Sequence, residues 1–199
     1  MGVYTVAITG ASGSAYGMRL VEQLLTRGHG VTLIFTDAGR QVTAYELGFS
    51  LPSEGAREAV LRFLDVDETA RLRMVDDADI FDAVASGTRK VDAMVVCPAT
   101  MGFVGSVASG LASDLAERAA DVMLKERRTL VLVPRETPLN LIHLRNLTSV
   151  TEAGAIVVPA MPAFYAKPKT IDDLVDFVVG KVLDVLGVEH DLLRRWGGG

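Results

Sequence analysis

The segment LVLVPRETPL, residues 130–139, joins an apolar run to an arginine and a glutamate that lie between two prolines. Four consecutive apolar residues at 130–133 are typical of a strand that is buried on both faces, in the middle of a parallel sheet. Pro134 and Pro138 disfavour a helix in the residues that follow. We therefore expect Arg135 and Glu136 at the carboxyl end of a central strand, in a binding site or in a plain surface loop.

Strands and helices alternate on both sides of this segment. Further apolar runs predict strands at 3–8, 31–35, 93–97 and 155–158. Helical spacing predicts one helix that ends near residue 127 and others at 15–26, 37–47, 57–64, 141–153 and 171–186. The alternation predicts a single α/β domain over 1–199, with a doubly wound, mostly parallel sheet of the Rossmann or flavodoxin-like type. Residues 195–199 are expected to form a flexible tail.

Two parts of the chain give weaker signals. Residues 48–90 are polar and weakly periodic, and only the helix at 57–64 is predicted there. The helix that ends near residue 127 is expected to follow a loop at 98–105 and to bury one stripe, comprising Leu111, Leu115, Ala119 and Val122. Residues 93–113 carry no charge and could span a bilayer in length, but Pro98 and several glycines interrupt them, so no membrane span is predicted.

The composition excludes several classes of protein. The chain of 199 residues has a formal net charge of -5 and a pI near 5.2, which argues against a nucleic-acid-binding protein. Hydrophobic residues make up 49% of the chain, which indicates additional burial between subunits. Cys97 is the only cysteine, so no internal disulfide can form, and the three histidines lack ligand spacing, so no metal is expected. The first residues lack the basic region of a signal peptide, and the cytoplasm is the expected location.

A glycine-rich turn, ITGASGSAYG at 8–17, follows the first predicted strand. Backbone N–H groups at the start of a helix bind anions, and Ser12 would add a hydroxyl donor. Two alternatives remain for this turn, a plain tight turn and a dinucleotide site. The glycines at 10, 13 and 17 do not match the G-x-G-x-x-G spacing of dinucleotide sites, although Asp37 lies about where the acidic residue of that motif would be.

Several loops are expected to converge, because ligands of doubly wound sheets bind at the carboxyl ends of the strands. These loops comprise residues 9–14, 36–37, 98–105 and 134–140, and the Pro-rich loop at 159–170 could join them. Small residues dominate CPATMGFVGSVASG at 97–110, which would let either a flat ligand or a packed helix approach the backbone. The Tyr-x-x-x-Lys pattern at 165–169 is discounted as a reductase motif, because that pair works from a helix and Pro168 prevents one.

Charged residues in the second half of the chain are candidates for binding an anion. Arg118 and Lys125 each lie four residues after an aspartate, as in ordinary helix ion pairs, but they also share one helix face and could point at one anion. Arg135 could grip a phosphate through two hydrogen bonds. Glu136 beside it could act as a general base.

Three segments resemble the flavin prenyltransferase (UbiX-like) family, namely ITGASGSAYGMRLVEQL, RAADVMLKERRTLVLVPRETPLNLIHLRNL and AGAIVVPAMPAFYAKPKTIDDLVDFVVGKVLD. The likeness covers nearly the whole chain and is most specific around LKERR, RETPL and PAFY. It implies a flavodoxin-like subunit that assembles into a dodecamer and binds FMN between subunits. Members transfer a dimethylallyl group from dimethylallyl monophosphate to N5 and C6 of reduced FMN without a metal. The product, prenylated FMN, serves UbiD-like decarboxylases.

The resemblance also implies roles for individual residues. Contacts to FMN would come from Gly10, Ala11, Ser12, Thr36, Thr100, Met101, Gly102, Phe103 and Arg135. The prenyl phosphate would be surrounded by Lys125, Arg135, Glu136, Tyr165 and Lys181, with Glu46, Arg118 and Trp196 at the margin of that set. Ser12, Lys125, Glu136 and Tyr165 are the expected catalytic residues. A monophosphate that leaves without a metal needs its charge met by protein donors, which would be Lys125, Arg135, Tyr165 and Lys181.

Two loops depart from the family pattern, because Thr36-Asp37 replaces the usual Ser-Lys and CPATMGF replaces PCSMGT. These departures affect the expected flavin contacts rather than the chemistry. Both a mono- and a diphosphate donor stay open. Two other functions also fit the sequence. An FMN-dependent cysteine-peptide decarboxylase would need a catalytic histidine in the first third of the chain, where His29 is the candidate. A non-catalytic flavin-binding protein would have no use for the set at Lys125, Glu136 and Tyr165.

Overall fold

The computed structural model describes residues 1–193. Within them, six strands form one sheet in the order β3-β2-β1-β4-β5-β6. The strands are β1 at Val3–Ile8, β2 at Gly30–Phe35, β3 at Leu72–Asp76, β4 at Ala93–Ala99, β5 at Thr129–Pro134 and β6 at Ile156–Val157. Every neighbouring pair is parallel. The predicted doubly wound fold is therefore confirmed, and Trp196 and the tail at 195–199 lie outside the described residues.

Strand β3 extends the sheet beyond the five predicted strands. The five alone would have the flavodoxin order, whereas the sixth gives the order of dinucleotide-binding Rossmann domains. The prediction missed β3 because it is an edge strand of mixed polarity, in which only Leu72 and Val75 are buried. Arg73 in this strand instead forms a two-pronged ion pair with Asp82, at 2.7 and 2.8 Å.

Helices cover both faces of the sheet. In the described part of the chain they are α1 at Ser14–Thr26, α2 at Asp37–Leu47, α3 at Ala56–Phe63, α4 at Met101–Ala108, α5 at Leu115–Lys125, α6 at Leu141–Glu152 and α7 at Ile171–Leu186. Apolar side chains of α1, α3 and α7 pack on one face of the sheet. Those of α4 and α5, with Val150 of α6, pack on the other. This two-sided burial explains the uninterrupted apolar run at 130–133 in β5.

The single helix predicted to end near residue 127 is wrong, because the structure divides this stretch into α4 and α5. Helix α4 begins at Met101, so the predicted loop at 98–105 is also shorter than expected. Gly110 has a φ of 68°, which ends the helical path. Leu111, expected in the buried stripe, is 61% exposed. None of the helices in residues 1–193 is long and apolar enough to cross a membrane.

Two glycines let helices approach the sheet closely. A Cβ atom at Gly17 of α1 would overlap the carbonyl oxygen of Cys97, at the end of β4. A Cβ atom at Gly39 of α2 would overlap the carbonyl oxygen of Ile8, at the end of β1. Gly17 therefore serves helix–sheet packing, and both contacts fix helix starts beside the carboxyl ends of β1, β2 and β4.

Candidate active site

The order in which the chain adds strands reverses between β1 and β4, and this switch point opens a crevice at the carboxyl ends of the parallel strands. The paired residues of these two strands end at Ala7 and Val96. Four of the predicted loops begin at this edge. They carry all nine residues predicted to contact FMN, which are Gly10, Ala11, Ser12, Thr36, Thr100, Met101, Gly102, Phe103 and Arg135.

The loop after β1 is fixed by α2, which lies against it. The Glu46 carboxylate accepts hydrogen bonds from the Gly13 N–H, at 3.1 and 2.9 Å to its two oxygens, and from the Ser14 N–H at 2.9 Å. The Thr43 hydroxyl donates to the Ser14 hydroxyl at 3.0 Å. A protein carboxylate thus occupies the N-terminus of α1, where the turn was predicted to bind a ligand anion. An anion does bind at this turn, but it is the Glu46 side chain of the same chain and not a ligand.

The contacts of Glu46 favour its ionised form. Burial alone would raise its pKa, but hydrogen bonds from the Ser12 hydroxyl and from the Gly13 and Ser14 N–H groups lower it below the ordinary value. The carboxylate therefore stays charged at neutral pH. The helix dipole of α1 adds to this preference, because its N-terminus carries a partial positive charge. A phosphate at the same place would be repelled.

The start of α4 offers donors that α1 does not. Thr100 caps this helix, with its hydroxyl oxygen accepting from the Phe103 N–H at 3.0 Å. The N–H groups of Met101 and Gly102 belong to the first turn, which has no intrahelical acceptors. The side chains of Met101 and Phe103 are only 5% exposed and pack into the core, so this segment can offer a flat ligand its backbone. A Cβ at Gly102 would lie 3.7 Å from the Thr100 hydroxyl, its nearest neighbour, so space is open beside it.

The start of α2 is less suited to an anion. Thr36 caps this helix by accepting from the Gly39 N–H at 3.0 Å, but Asp37 lies in the first turn. Asp77, near the end of β3, has its pKa raised to about 6, chiefly by burial and further by the charges of Asp114, Asp37 and Asp76. This acidic group makes the β2–β3 side of the crevice unfavourable for phosphate and leaves the β4–β5 side as the better one.

Arg135 and Glu136 stand at the end of β5, as predicted. The Arg135 Nε donates to the Ser12 carbonyl oxygen at 3.1 Å and so ties the β5 loop to the β1 loop across the mouth of the crevice. The Glu136 side chain is exposed and accepts from the Thr137 N–H at 2.9 Å. Tyr16 of α1 lies near this arginine, and its pKa is raised, chiefly by burial and further by Cys97, against the opposing charge of Arg135.

Within one chain, Lys125 lies near the amino ends of the strands, opposite the carboxyl ends that form the crevice. It ends α5 and precedes β5, whereas Arg135 follows β5, and six strand residues separate the two ends by about 20 Å. Its ammonium group lies 2.6 Å from the Glu126 carboxylate. Arg118, earlier on α5, pairs with Asp121 at 2.7 Å. The structure therefore does not join Lys125 to Arg135 in a single copy.

The remaining predicted residues occupy several places. Tyr165, 55% exposed, lies in the loop before α7, with its ring 5.8 Å from the Phe177 ring, centre to centre. Lys181 is on the outer side of α7, 3.7 Å from Asp184. Among residues 1–193 no group of three or more His, Cys, Asp or Glu side chains could hold a metal ion.

His29 does not approach the crevice. It follows α1 and precedes β2, at the amino edge of the sheet. Its Nδ1 accepts from the Gly2 N–H at 3.0 Å, and its ring meets the edge of the Tyr4 ring at 5.3 Å. The histidine that a cysteine-peptide decarboxylase would need is therefore turned away from the candidate site.

The crevice suits a flavin mononucleotide. An isoalloxazine ring needs a flat path along the backbone, which the small residues of the β1 and β4 loops provide. A phosphate needs N–H donors and a cation, which the start of α4 and Arg135 provide. A second phosphate at α1 would meet the Glu46 carboxylate, which disfavours a dinucleotide.

Comparisons with known proteins identify the family of this chain. The Flavoprotein family model matches residues 3–183. The flavin prenyltransferase UbiX of Halalkalibacterium halodurans is 48% identical over 98% of this chain and 94% of its own length. The UbiX of Pseudomonas aeruginosa is 43% identical over 97% of this chain and 93% of its own length.

Solved structures give the same relationship. AnUbiX in complex with FMN and dimethylallyl pyrophosphate superposes with a TM-score of 0.87 at 36% identity, covering 100% of this chain and 98% of its own. A dodecameric FMN-dependent UbiX-like decarboxylase from Escherichia coli O157:H7 superposes with a TM-score of 0.86 at 36% identity, covering 98% and 100%. The cysteine decarboxylase TvaF, at 18% identity and a TM-score of 0.59, shares the fold alone. The chain therefore belongs to the flavoprotein family and, within it, to the UbiX flavin prenyltransferases.

Proposed function

We propose that this chain transfers a dimethylallyl group from dimethylallyl phosphate to N5 and C6 of reduced FMN. The observation that carries the proposal is the near-complete match to UbiX flavin prenyltransferases, at 48% identity over 98% of the chain. The crevice supports the proposal independently, since the start of α4 and Arg135 would bind one phosphate and the small residues of the β1 and β4 loops would accept a flat ring. FMN is a substrate here, because the prenyl group ends up on the flavin.

The chain's own residues would orient FMN in two ways. The N–H groups at the start of α4, with Arg135, would take the phosphate, while the β1 loop at Gly10–Ser12 would border the ring. Ser12 is exposed at the crevice and its carbonyl already holds Arg135 at 3.1 Å. Thr36 would contact the ribityl chain rather than the phosphate, because Asp37 follows it. Met101 and Phe103 would contribute backbone contacts only.

The prenyl phosphate would need cations that one copy does not collect. Arg135 and Tyr165 belong to the carboxyl edge, whereas Lys125 lies about 20 Å away at the other edge. We therefore infer that Lys125 of one copy serves the site of another copy in a homo-oligomer. The dodecameric relative supports this assembly, because its chain aligns with 98% of this one.

Glu136 would move a proton during ring closure. When the prenyl group leaves its phosphate, the C–O bond breaks, a bond to N5 forms, and the N5 proton passes to the departing phosphate. Closing the fourth ring adds a proton from that phosphate to the prenyl double bond, forms the bond to C6 and removes the C6 proton. Glu136 is exposed at the end of β5, beside Arg135 in the chain, and its carboxylate would accept the C6 proton.

Anaerobic reconstitution tests the reaction. The purified protein is mixed with reduced FMN and either dimethylallyl monophosphate or dimethylallyl diphosphate. The mass of the extracted flavin is then measured by mass spectrometry. We expect one prenyl unit added to the flavin and inorganic phosphate or diphosphate released, with one donor used faster. An unmodified flavin with both donors would contradict the proposal. A sample without protein is the control.

Glu136→Gln tests the proton transfer. The variant keeps its size but cannot accept a proton, so we expect normal FMN binding, a flavin alkylated at N5, and ring closure slowed by about 10²–10⁴. NMR of the extracted flavin distinguishes the open from the closed ring, which have equal mass. Closure at the unmodified rate would make Glu136 structural only.

Mixed oligomers test the placement of Lys125. Lys125→Ala and Glu136→Gln are each expected to be nearly inactive alone. Co-assembly by random mixing would give about one quarter of the sites an intact Lys125 and an intact Glu136 from different copies. A mixture without regained activity would show that both residues act within one copy.

The wider setting belongs to the same proposal. The product would supply a UbiD-like decarboxylase in the cytoplasm, as the family resemblance implies. The test is whether flavin extracted after the reaction activates a decarboxylase of that type prepared without its cofactor, with unreacted FMN as the control. No activation by the product would contradict this role.

A further inference from the structure

Thr9 links the two walls of the crevice. It is the first residue after β1 and is only 2% exposed. Its hydroxyl donates to the Pro98 carbonyl oxygen at 2.8 Å and accepts from the Thr100 N–H at 2.9 Å. Its own N–H also donates to Pro98, at 3.3 Å. One side chain thus makes two bonds from the loop after β1 to the end of β4.

These bonds begin where the sheet pairing stops. The last paired residues of β1 and β4 are Ala7 and Val96, and beyond them the bond from the Thr9 N–H to the Pro98 carbonyl oxygen, at 3.3 Å, still joins the two backbones. The Thr9 hydroxyl adds two shorter bonds, because its donor and acceptor functions both cross the gap. A buried hydroxyl with both functions used is strongly oriented, since its alternative partners in water are excluded.

The bond to Thr100 has a consequence for α4. Thr100 caps that helix and holds the Phe103 N–H, so its backbone position sets where the N–H groups of Met101 and Gly102 point. Those are the groups proposed to meet FMN. Thr9 is also directly followed by Gly10 and Ala11, which border the same ligand. The Thr9 hydroxyl therefore links the two sets of residues that are proposed to contact FMN.

We propose that Thr9 is a positioning residue for FMN, which sets the width of the crevice and the direction of the N–H donors at the start of α4. The inference rests on the proposed function for the identity of the ligand, but not for the geometry. Thr9 itself would touch neither the flavin nor the prenyl donor. Its effect would pass through Thr100.

Two substitutions at Thr9 separate the hydroxyl from packing. Thr9→Val keeps the shape and removes the hydroxyl, and Thr9→Ser keeps the hydroxyl and removes a methyl group. Thr5→Val is the matched control, because Thr5 is also 2% exposed and lies within β1, away from the carboxyl end of that strand. FMN affinity is measured by flavin fluorescence, and the KM for the prenyl donor and kcat are measured separately.

We expect Thr9→Val to weaken FMN binding about tenfold, equivalent to about 1.4 kcal/mol, with a smaller change in the KM for the prenyl donor. Thr9→Ser is expected to restore FMN affinity to within about threefold, and Thr5→Val to leave it unchanged. Unchanged affinity in Thr9→Val would overturn the inference. So would a Thr9→Ser variant as weak as Thr9→Val, because packing rather than the hydroxyl would then be responsible.

Hydrogen exchange tests the geometry without a ligand. The Thr100 N–H should be protected in the unmodified protein and in Thr5→Val, and should exchange at least about tenfold faster in Thr9→Val, because its acceptor is gone. Equal protection in Thr9→Val would overturn the inference even if FMN binds. If the unmodified protein did not bind FMN, the proposed function would fail, and the exchange result would still decide whether Thr9 positions Thr100.

Discussion

Replacing Glu46 by glutamine should destabilise the protein and change its response to acid. The carboxylate makes three contacts of 2.9–3.1 Å with the Gly13 and Ser14 N–H groups at the start of α1. Bonds to a charged group contribute about 1.5–3 kcal/mol each and neutral bonds about 1, so glutamine would lose about 1 kcal/mol per N–H. Loss of the charge at the helix dipole removes a further ~0.3–1 kcal/mol.

Water screens part of this energy, because the Glu46 residue is exposed in one copy. We therefore halve the sum and expect a loss of about 1–1.5 kcal/mol, or a fall in Tm of about 2–6 °C for a chain of this size. Urea unfolding at neutral pH measures the loss. Glu54→Gln, in the exposed loop before α3, is the control and should change stability by less than about 0.5 kcal/mol.

The effect of pH follows from the lowered pKa of Glu46. In the folded protein this carboxyl has a pKa below the ordinary 4.5, so its contribution is complete above that pH and is lost as the pH falls through the folded pKa. The stability gap between the unmodified protein and Glu46→Gln should be constant from about pH 7 to 5 and close below pH 4.5. A gap that persists to pH 3, or no gap at neutral pH, would refute the role assigned to the carboxylate.

Three further results are expected. Gly17→Ala should lower the free energy of unfolding by about 3 kcal/mol, because its Cβ would overlap a backbone oxygen of β4. Gly30→Ala is the control, since its Cβ would make only ordinary contacts, and it should lower the free energy of unfolding by less than about 1 kcal/mol. Equal urea midpoints for the two variants would contradict this. Asp77→Asn should raise Tm at pH 7.5 relative to Asp79→Asn, because the ionised form of a carboxyl with a pKa of about 6 is disfavoured in the fold, and the gain should vanish as the pH falls from 6 to 4; no gain at pH 7.5 would show that burial does not strain Asp77. Tyr165→Phe should raise the KM for the prenyl donor at least about fivefold and leave the Kd for FMN unchanged, since the phenol would serve the donor phosphate; parallel losses would place it at the flavin.

The sequence predicted the fold well where burial was two-sided. The strands β1, β4 and β5 carry apolar runs because helices cover both their faces, and such runs leave little choice of structure. The edge strand β3 was missed, since an edge residue such as Arg73 can form an ion pair and break the apolar pattern. The break between α4 and α5 was missed because the uncharged residues between them give no polar pattern that would distinguish a turn from a continuous helix.

The site was predicted in outline only. Loops that leave the carboxyl ends of parallel strands must lie at one edge, so their convergence followed from the fold class. Which groups meet within the crevice did not follow, because the contacts of Thr9, Glu46 and Arg135 join residues distant in sequence. The separation of Lys125 from Arg135 was also hidden, although both motifs lie within a dozen residues, because the strand between them runs the full height of the sheet.

The carboxylate at the start of α1 also bears on how this fold selects its nucleotide. The six strands have the order of domains that seat a pyrophosphate at this helix, yet here the seat is taken by Glu46 of the same chain. Because the Glu46 carboxylate belongs to the same chain, its effective concentration is high, and it competes with any ligand phosphate for the Gly13 and Ser14 N–H groups. The Glu46 side chain thus selects against dinucleotides. A ligand with a single phosphate can still bind, because it does not need the N–H groups at the start of α1.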